Sequence, residues 1–303
     1  MDGANIESNY FRVNLFNGVC IAYIDCNIDI SHEMKPKGTV VLIHGFPETS
    51  WAFRKVVPPI ANAGYRVIAP DYRGAGESSK PSGGFTKAIM AADIIALLDH
   101  LDIDERVHVI GHDIGGIIAF VLASRWPERV ISACLSECLL PGSNTYTNQL
   151  AENPVEYFHF NFHCVDNLPE ALIIGREKLY IDYFINRRCY RIGAFPPDVI
   201  TRYAHALSQP GALRCALDLY RSLDKDAEDT REWVSQHGKC QVPCMVLSGE
   251  HSSYGQHAER MALEVVDKPY LTSTIVKGSG HFIPEENSSG FSEKNGSGWS
   301  RRR

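Results

Sequence analysis

No stretch of the 303-residue chain reaches the ~18 consecutive apolar residues of a membrane helix, so no spanning segment is expected. The opening residues, MDGANIESNYFR, lack the apolar centre of a secretory signal. The nine cysteines form no CxxC pair, and an odd number does not suit a disulfide framework. Cys134/Cys138 and Cys240/Cys244 lie in apolar runs and are expected to be buried, reduced thiols of a cytoplasmic protein. Basic charge is not in excess either. The 30 basic and 36 acidic residues give a net charge of −6, which argues against a broad nucleic-acid surface. There is no internal repeat. What is present is ordinary globular composition, with 44% hydrophobic and 22% charged residues. At about 150 residues per domain, the length allows two domains, or one α/β domain carrying an insertion.

The apolar residues follow two rhythms. Residues 10–15 and 19–23 alternate and are expected to pair as a hairpin turning at Asn17-Gly18. Continuous apolar runs at 39–44, 66–69, 107–110, 130–135, 244–247 and 272–276 fit strands buried on both faces of a parallel sheet. Helical patterns lie between most of them, at 51–63, 87–101, 114–125 and 256–266. This alternation predicts an α/β fold with a mostly parallel sheet and right-handed crossovers. From Pro141 to about residue 225 no strand run occurs. Phe, Tyr, Leu and Arg recur there at helical spacing, broken by prolines. The expected organisation is a core over residues 1–140 and 226–286, a helical cap over 141–225 inserted after the sixth strand, and a tail over 287–303. That tail is polar, Gly/Ser-rich and ends in three arginines, which predicts a solvated segment.

Gly111-His112-Asp113-Ile114-Gly115-Gly116 closes a buried strand and opens a helix. This is the strand–turn–helix setting of a nucleophile elbow, with aspartate where serine usually stands. Small neighbours permit the tight turn, and the helix start favours a carboxylate. An isolated Asp would be read as a helix N-cap. Three surrounding glycines after such a strand favour the elbow. His44-Gly45-Phe46-Pro47 ends the third strand, where an elbow architecture draws one oxyanion-hole amide; the second comes from the residue after the nucleophile. The amides of Phe46 and Ile114 are therefore the candidates. The run DYRGAGES at 71–78 holds a GxG too incomplete for a phosphate loop and is read as turn chemistry. Gly278-Ser279-Gly280-His281 follows the last strand, and His281 is the expected general base.

These four segments, HGFP, DYRGAGES, GHDIGG and GSGHFIPEE, occur in the order and context of the α/β-hydrolase superfamily, which the chain resembles over roughly residues 10–286. The Asp at the elbow narrows the resemblance to the soluble epoxide hydrolases and the haloalkane or haloacetate dehalogenases. An Asp forms an ester with a substrate carbon, and water can then attack the Asp carbonyl; a Ser would leave an ether that water cannot open. The oxyanion hole then serves the second step. Ile114 stands where haloalkane dehalogenases commonly keep Trp. Ile114 and Ile117 stand where fluoroacetate dehalogenases keep arginines. The epoxide hydrolases are thus the better match. The segments around Tyr220 and His159 resemble those bearing the two ring-opening acids, in the subgroup with His in an aromatic-His-Phe-x-Phe setting. A metal on His159 and His163 at i, i+4 is an alternative, but no third ligand or HExxH accompanies them.

The resemblance also raises a question about the acid that orients His281. The family's usual Asp, in the loop after the seventh strand, falls at position 252, where this chain has Ser252. A serine cannot hold the charge that stabilises an imidazolium. Glu250 remains in that loop as an alternative. Glu137, after the sixth strand, matches the placement found in the subgroup with a cap histidine and keeps the order nucleophile, acid, His. The resemblance therefore implies an epoxide hydrolase using Asp113, His281, Glu137, Tyr220 and His159, making vicinal diols from a small-molecule epoxide without metal or organic cofactor. A dehalogenase using the same Asp113, and a non-catalytic binding protein on this fold, are the alternatives.

Overall fold

The computed structural model describes residues 10–27 and 36–300; the opening residues and the terminal arginines 301–303 lie outside them. Eight strands form one sheet: β1 (Tyr10–Asn14), β2 (Cys20–Cys26), β3 (Thr39–Ile43), β4 (Arg66–Asp71), β5 (Val107–His112), β6 (Val130–Ser136), β7 (Cys244–Gly249) and β8 (Leu271–Val276). Their spatial order is β1-β2-β4-β3-β5-β6-β7-β8. The expected hairpin β1–β2 is antiparallel and joins the sheet at β4; every later pairing is parallel. Each apolar run of the sequence is one of these strands.

Alternation within the strands divides the core by face. Val41, Ile43, Ile68 and Val109 point to the side of α2 (Lys87–His100), α3 (Ile114–Arg125) and α11 (Ala258–Val265). Val40, Leu42, Val67 and Ile110 point to the other side, with α1 (Val57–Asn62). The helix expected over 51–63 is interrupted: a 3-10 turn, Ser50–Lys55, precedes α1. Pro58 and Pro59 lie at its start, where their missing amides cost nothing.

Between β6 and β7 the chain is helical: α4 (Asn144–Glu152), α5 (Phe158–Cys164), α6 (Leu168–Ile173), α7 (Glu177–Arg188), α8 (Pro197–Ser208), α9 (Ala212–Arg221) and α10 (Leu223–His237). α10 runs across the boundary expected at residue 225. Ile181, Ile185, Tyr203 and Leu217 from these helices form a separate apolar cluster that reaches Phe282, beside His281.

The expected solvated tail is a correction. After the short helix α12 (Ile283–Glu286), Ser288–Ser300 forms helix α13. Its Phe291 is fully buried and packs against Phe53, ring centroids 6.4 Å apart. Asn287 caps the helix start by accepting the Gly290 amide at 2.9 Å, and Asn295 Nδ2 donates to the Phe291 carbonyl at 2.8 Å. Without α13, apolar residues such as Val276 would face water. Docking of one aromatic outweighs the weak helix propensity of Gly, Ser and Asn. The pairs Cys134/Cys138 and Cys240/Cys244 are buried and in no disulfide, as expected.

Candidate active site

The parallel strands end together, and their carboxyl ends carry the chemistry-bearing residues. Asp113 follows β5 with φ 53° and ψ −120°, a conformation that non-glycine residues rarely adopt and that turns the side chain away from the sheet. The turn closes so tightly that a Cβ on Gly115 would stand 2.1 Å from the Ile43 carbonyl oxygen. Phe46 N donates to Asp113 Oδ1 at 2.9 Å, which puts one expected oxyanion donor on the carboxylate. Ile114 opens α3; its amide is one of the first-turn donors with no acceptor within the helix. His112, which the sequence reading did not single out, is buried under the elbow. Its Nδ1 lies 3.1 Å from Glu48 Oε2, and its Nε2 lies 2.8 Å from the His281 carbonyl oxygen.

Glu137 follows β6, also at positive φ (52°). His281 stands between the two carboxylates: Nδ1 is 3.1 Å from Glu137 Oε2 and Nε2 is 3.6 Å from Asp113 Oδ2. Ser252 Oγ donates to Glu137 Oε2 at 2.6 Å and the Gly249 amide donates to Oε1 at 2.8 Å. Burial raises the Glu137 carboxyl to about 7, and these two hydrogen bonds work against that rise. Burial, with the Arg188 charge, pushes the His281 imidazole well below its ordinary value, while Asp113 acts in the opposite sense. Glu250 is placed elsewhere. Its exposed side chain accepts the Gly278 amide at 2.8 Å and lies 3.6 Å from His251. The His281 loop is held from below by Glu286, whose carboxylate accepts the amides of Gly280 and Phe282 and also those of Tyr190 and Arg191, beyond α7.

Above the elbow, α5 and α9 bring the two expected cap residues together. The rings of His159 and Tyr220 lie 5.6 Å apart, edge to face, and both are buried. Burial drives the Tyr220 hydroxyl well above its ordinary value, and the Asp113 charge adds to this; the phenol is kept protonated. Burial drives His159 well below its ordinary value, so it is a neutral imidazole with one N–H. His163 joins this group. Its ring meets Tyr220 at 4.4 Å, and its Nε2 lies 2.6 Å from the Tyr180 hydroxyl. Phe46 closes the floor against Tyr220, His163 and Phe184.

A cavity of about 220 Å³ adjoins Asp113, Glu137 and His281 and is bounded by Tyr157, Arg188 and His251. One water needs about 10–15 Å³ of such space, so the cavity has room for a small organic molecule. Arg188 is one of the lining residues, with Arg187, that the sequence reading missed. Nothing in its local sequence separates it from the other arginines of the cap.

A family model described as alpha/beta hydrolase fold matches residues 38–288. Epoxide hydrolase 3 of Siraitia grosvenorii is 39% identical over 282 residues, covering 82% of this chain and 87% of that relative. The soluble epoxide hydrolase of Corynebacterium sp. (strain C12) is 31% identical over 253 residues, covering 82% and 85%. The solved structure of the epoxide hydrolase CorEH without ligand matches with a TM-score of 0.85 at 27% identity, over 97% of this chain and 99% of that one.

Proposed function

The chain belongs to the α/β-hydrolase family, and from that premise we propose that it is an epoxide hydrolase that converts an epoxide and water to a vicinal diol through an ester on Asp113. The observation that carries this reading is the elbow aspartate facing His281 Nε2 at 3.6 Å while Glu137 backs the other ring nitrogen. In the first step an Asp113 oxygen attacks an epoxide carbon. The ring C–O bond breaks, and the ring oxygen takes a proton from Tyr220 or His159, leaving a hydroxyalkyl ester. In the second step His281 Nε2 takes a proton from water, and the oxygen attacks the Asp113 carbonyl carbon. The resulting oxyanion is held by the amides of Phe46 and Ile114. Collapse expels the diol oxygen, which takes the proton from His281, and the second proton of the water passes from the Asp113 carboxyl to the deprotonated ring-opening acid, so that carboxylate and acid are both restored.

Glu137 matters most in the second step. While Asp113 is an ester its charge is gone, and Glu137 is then the carboxylate on the imidazolium. We assign the ring-opening acids to a cap over residues 141–225 and the rest of the machinery to the core. Nine cysteines without a disulfide support a cytoplasmic enzyme, and the cavity beside Asp113 suits a small-molecule substrate.

One single-turnover experiment in ¹⁸O-water tests the route. With enzyme in excess over styrene oxide, the label should enter the Asp113 peptide and stay out of the first-formed diol. Label in the diol alone would mean that water attacks the epoxide directly. Halide release from haloalkanes with no epoxide turnover would move the assignment to a dehalogenase.

A further inference from the structure

Two adjacent arginines end α7, and they are used differently. Arg187 is satisfied by the protein: it donates to the Val155 carbonyl at 2.8 Å and to Glu156 Oε2 at 3.2 Å, and lies 3.3 Å from the Tyr183 hydroxyl. Arg188 is the more buried of the two, its side chain 11% exposed against 26% for Arg187. Its guanidinium nevertheless makes no hydrogen bond among the described residues. Its nearest anionic atom is Glu156 Oε1 at 3.9 Å, and it sits 5.9 Å from the Tyr157 ring centre.

A nearly buried guanidinium with five donors is costly to desolvate unless something accepts from it. Arg188 lines the same cavity as Asp113 and His281. Its charge is felt by His281, His159, Glu137 and Tyr220, which places it among the reacting groups. Its main chain already has a task, since the Arg188 carbonyl accepts the His281 amide at 3.0 Å. The main chain of Arg188 is therefore tied to the loop of the base, and its side chain lines the cavity beside it.

We propose that Arg188 is the anchor for a carboxylate on the substrate, so that the preferred substrates are epoxy acids rather than neutral epoxides. The planar fork of a guanidinium matches a carboxylate with two parallel N–H···O contacts, which fixes orientation as well as adding attraction. An anionic substrate must also approach the Asp113 carboxylate that attacks it, and a cation in the same cavity offsets that repulsion. Glu156 alone does not serve as the partner, because its other oxygen is engaged by Arg187 and 3.9 Å is beyond hydrogen-bond reach.

The inference rests on the epoxide hydrolase reading, and the test separates the two. Turnover of an epoxy fatty acid, of its methyl ester and of neutral styrene oxide is measured with wild type, Arg188→Met and Arg188→Lys. Substitution leaves the main-chain contact to His281 available, and a thermal melt of each variant checks folding. Wild type should favour the acid over the ester in kcat/KM. In Arg188→Met the acid-to-ester ratio should fall by about 10- to 100-fold, the range for a charged hydrogen-bonded contact, mainly through KM. Arg188→Lys should recover part of it. A ratio within twofold of wild type in a folded Arg188→Met overturns the anchor, as does equal loss on acid and ester or a wild type that turns over styrene oxide with no preference for the acid. If wild type turns over none of the three, the parent reading falls and takes the inference with it. If neither variant folds, an acid-to-ester ratio in the wild type that does not decline as ionic strength rises overturns the anchor.

Discussion

Ser252 Oγ and His281 Nδ1 converge on one oxygen, Oε2 of Glu137, at 2.6 and 3.1 Å. Position 252 is where the resemblance expects the orienting aspartate. In this chain the carboxylate comes from the neighbouring strand, and the old position supplies a hydrogen-bond donor to it. The carboxylate beside the imidazole thus stands after β6, and the loop after β7 reaches the same oxygen.

Replacing Glu137 by Gln should therefore act on the second half-reaction. The expected outcome is an ester-hydrolysis rate lower by about 10²–10⁴-fold, with ester formation far less affected. Rapid-quench mass spectrometry of the intact protein would then find the alkylated enzyme accumulating. Glu250→Gln should leave both rates near wild type, because Glu250 accepts from Gly278 and does not reach His281. The opposite pattern would return the acid to the loop after β7.

Ser252→Ala should change the pH profile more than the plateau rate. Burial raises the Glu137 carboxyl to about 7, and the Ser252 hydrogen bond holds it down. A carboxyl raised in this way is charged only above that value, so hydrolysis of the ester declines as pH falls through about 7. Removing the donor raises the carboxyl further, and the acid limb should move to higher pH by roughly one pH unit. An acid limb that stayed in place would mean that Ser252 does not stabilise the charged form.

Ring opening should depend on both cap residues. Tyr220→Phe and His159→Phe are each expected to slow ester formation, with general-acid help worth about 10²–10⁴-fold when both are lost. Because His159 is neutral, its help should not fade between pH 6 and 8. Pre-steady-state alkylation rates would measure this. Wild-type rates in the double variant would exclude these side chains as the acids.

The C-terminal helix makes a stability prediction. Phe291→Ala empties a fully buried site against Phe53, a change that costs about 3–5 kcal/mol for Phe in a core. In a chain of this length the melting temperature should fall by roughly 5–10 °C. A melting curve within 1 °C or so of wild type would mean that α13 contributes little to the sheet it covers.

Strands and elbow were legible because their signals are local. An apolar run flanked by Gly and Pro, or three glycines around Asp113, constrains the backbone wherever it falls. The segment 287–303 misled because its polar, Gly-rich composition outweighs one phenylalanine in any sequence count. The groove that receives Phe291 is made by Val276 and by Phe53, which is far away in the chain. Ser252 was legible as a departure but not as a donor, since that needs Glu137 to be brought beside it by the β6–β7 pairing. Arg188 gave no signal, and His163 entered only as a metal-ligand alternative beside His159. Each is one aromatic or basic residue among many in the cap, and each acquires meaning only from what α7 and α5 are packed against.

Glu286 joins the general-base loop to the segment after α7 through a single carboxylate. For anyone recombining these proteins, this sets where a crossover can be made. A foreign lid spliced in at the two ends of the helical insertion would arrive without the main-chain amides of Tyr190 and Arg191 in register, and would leave the Glu286 carboxylate half-occupied below His281. Lid and histidine loop are best exchanged as one cassette, even though about ninety residues separate them in the chain.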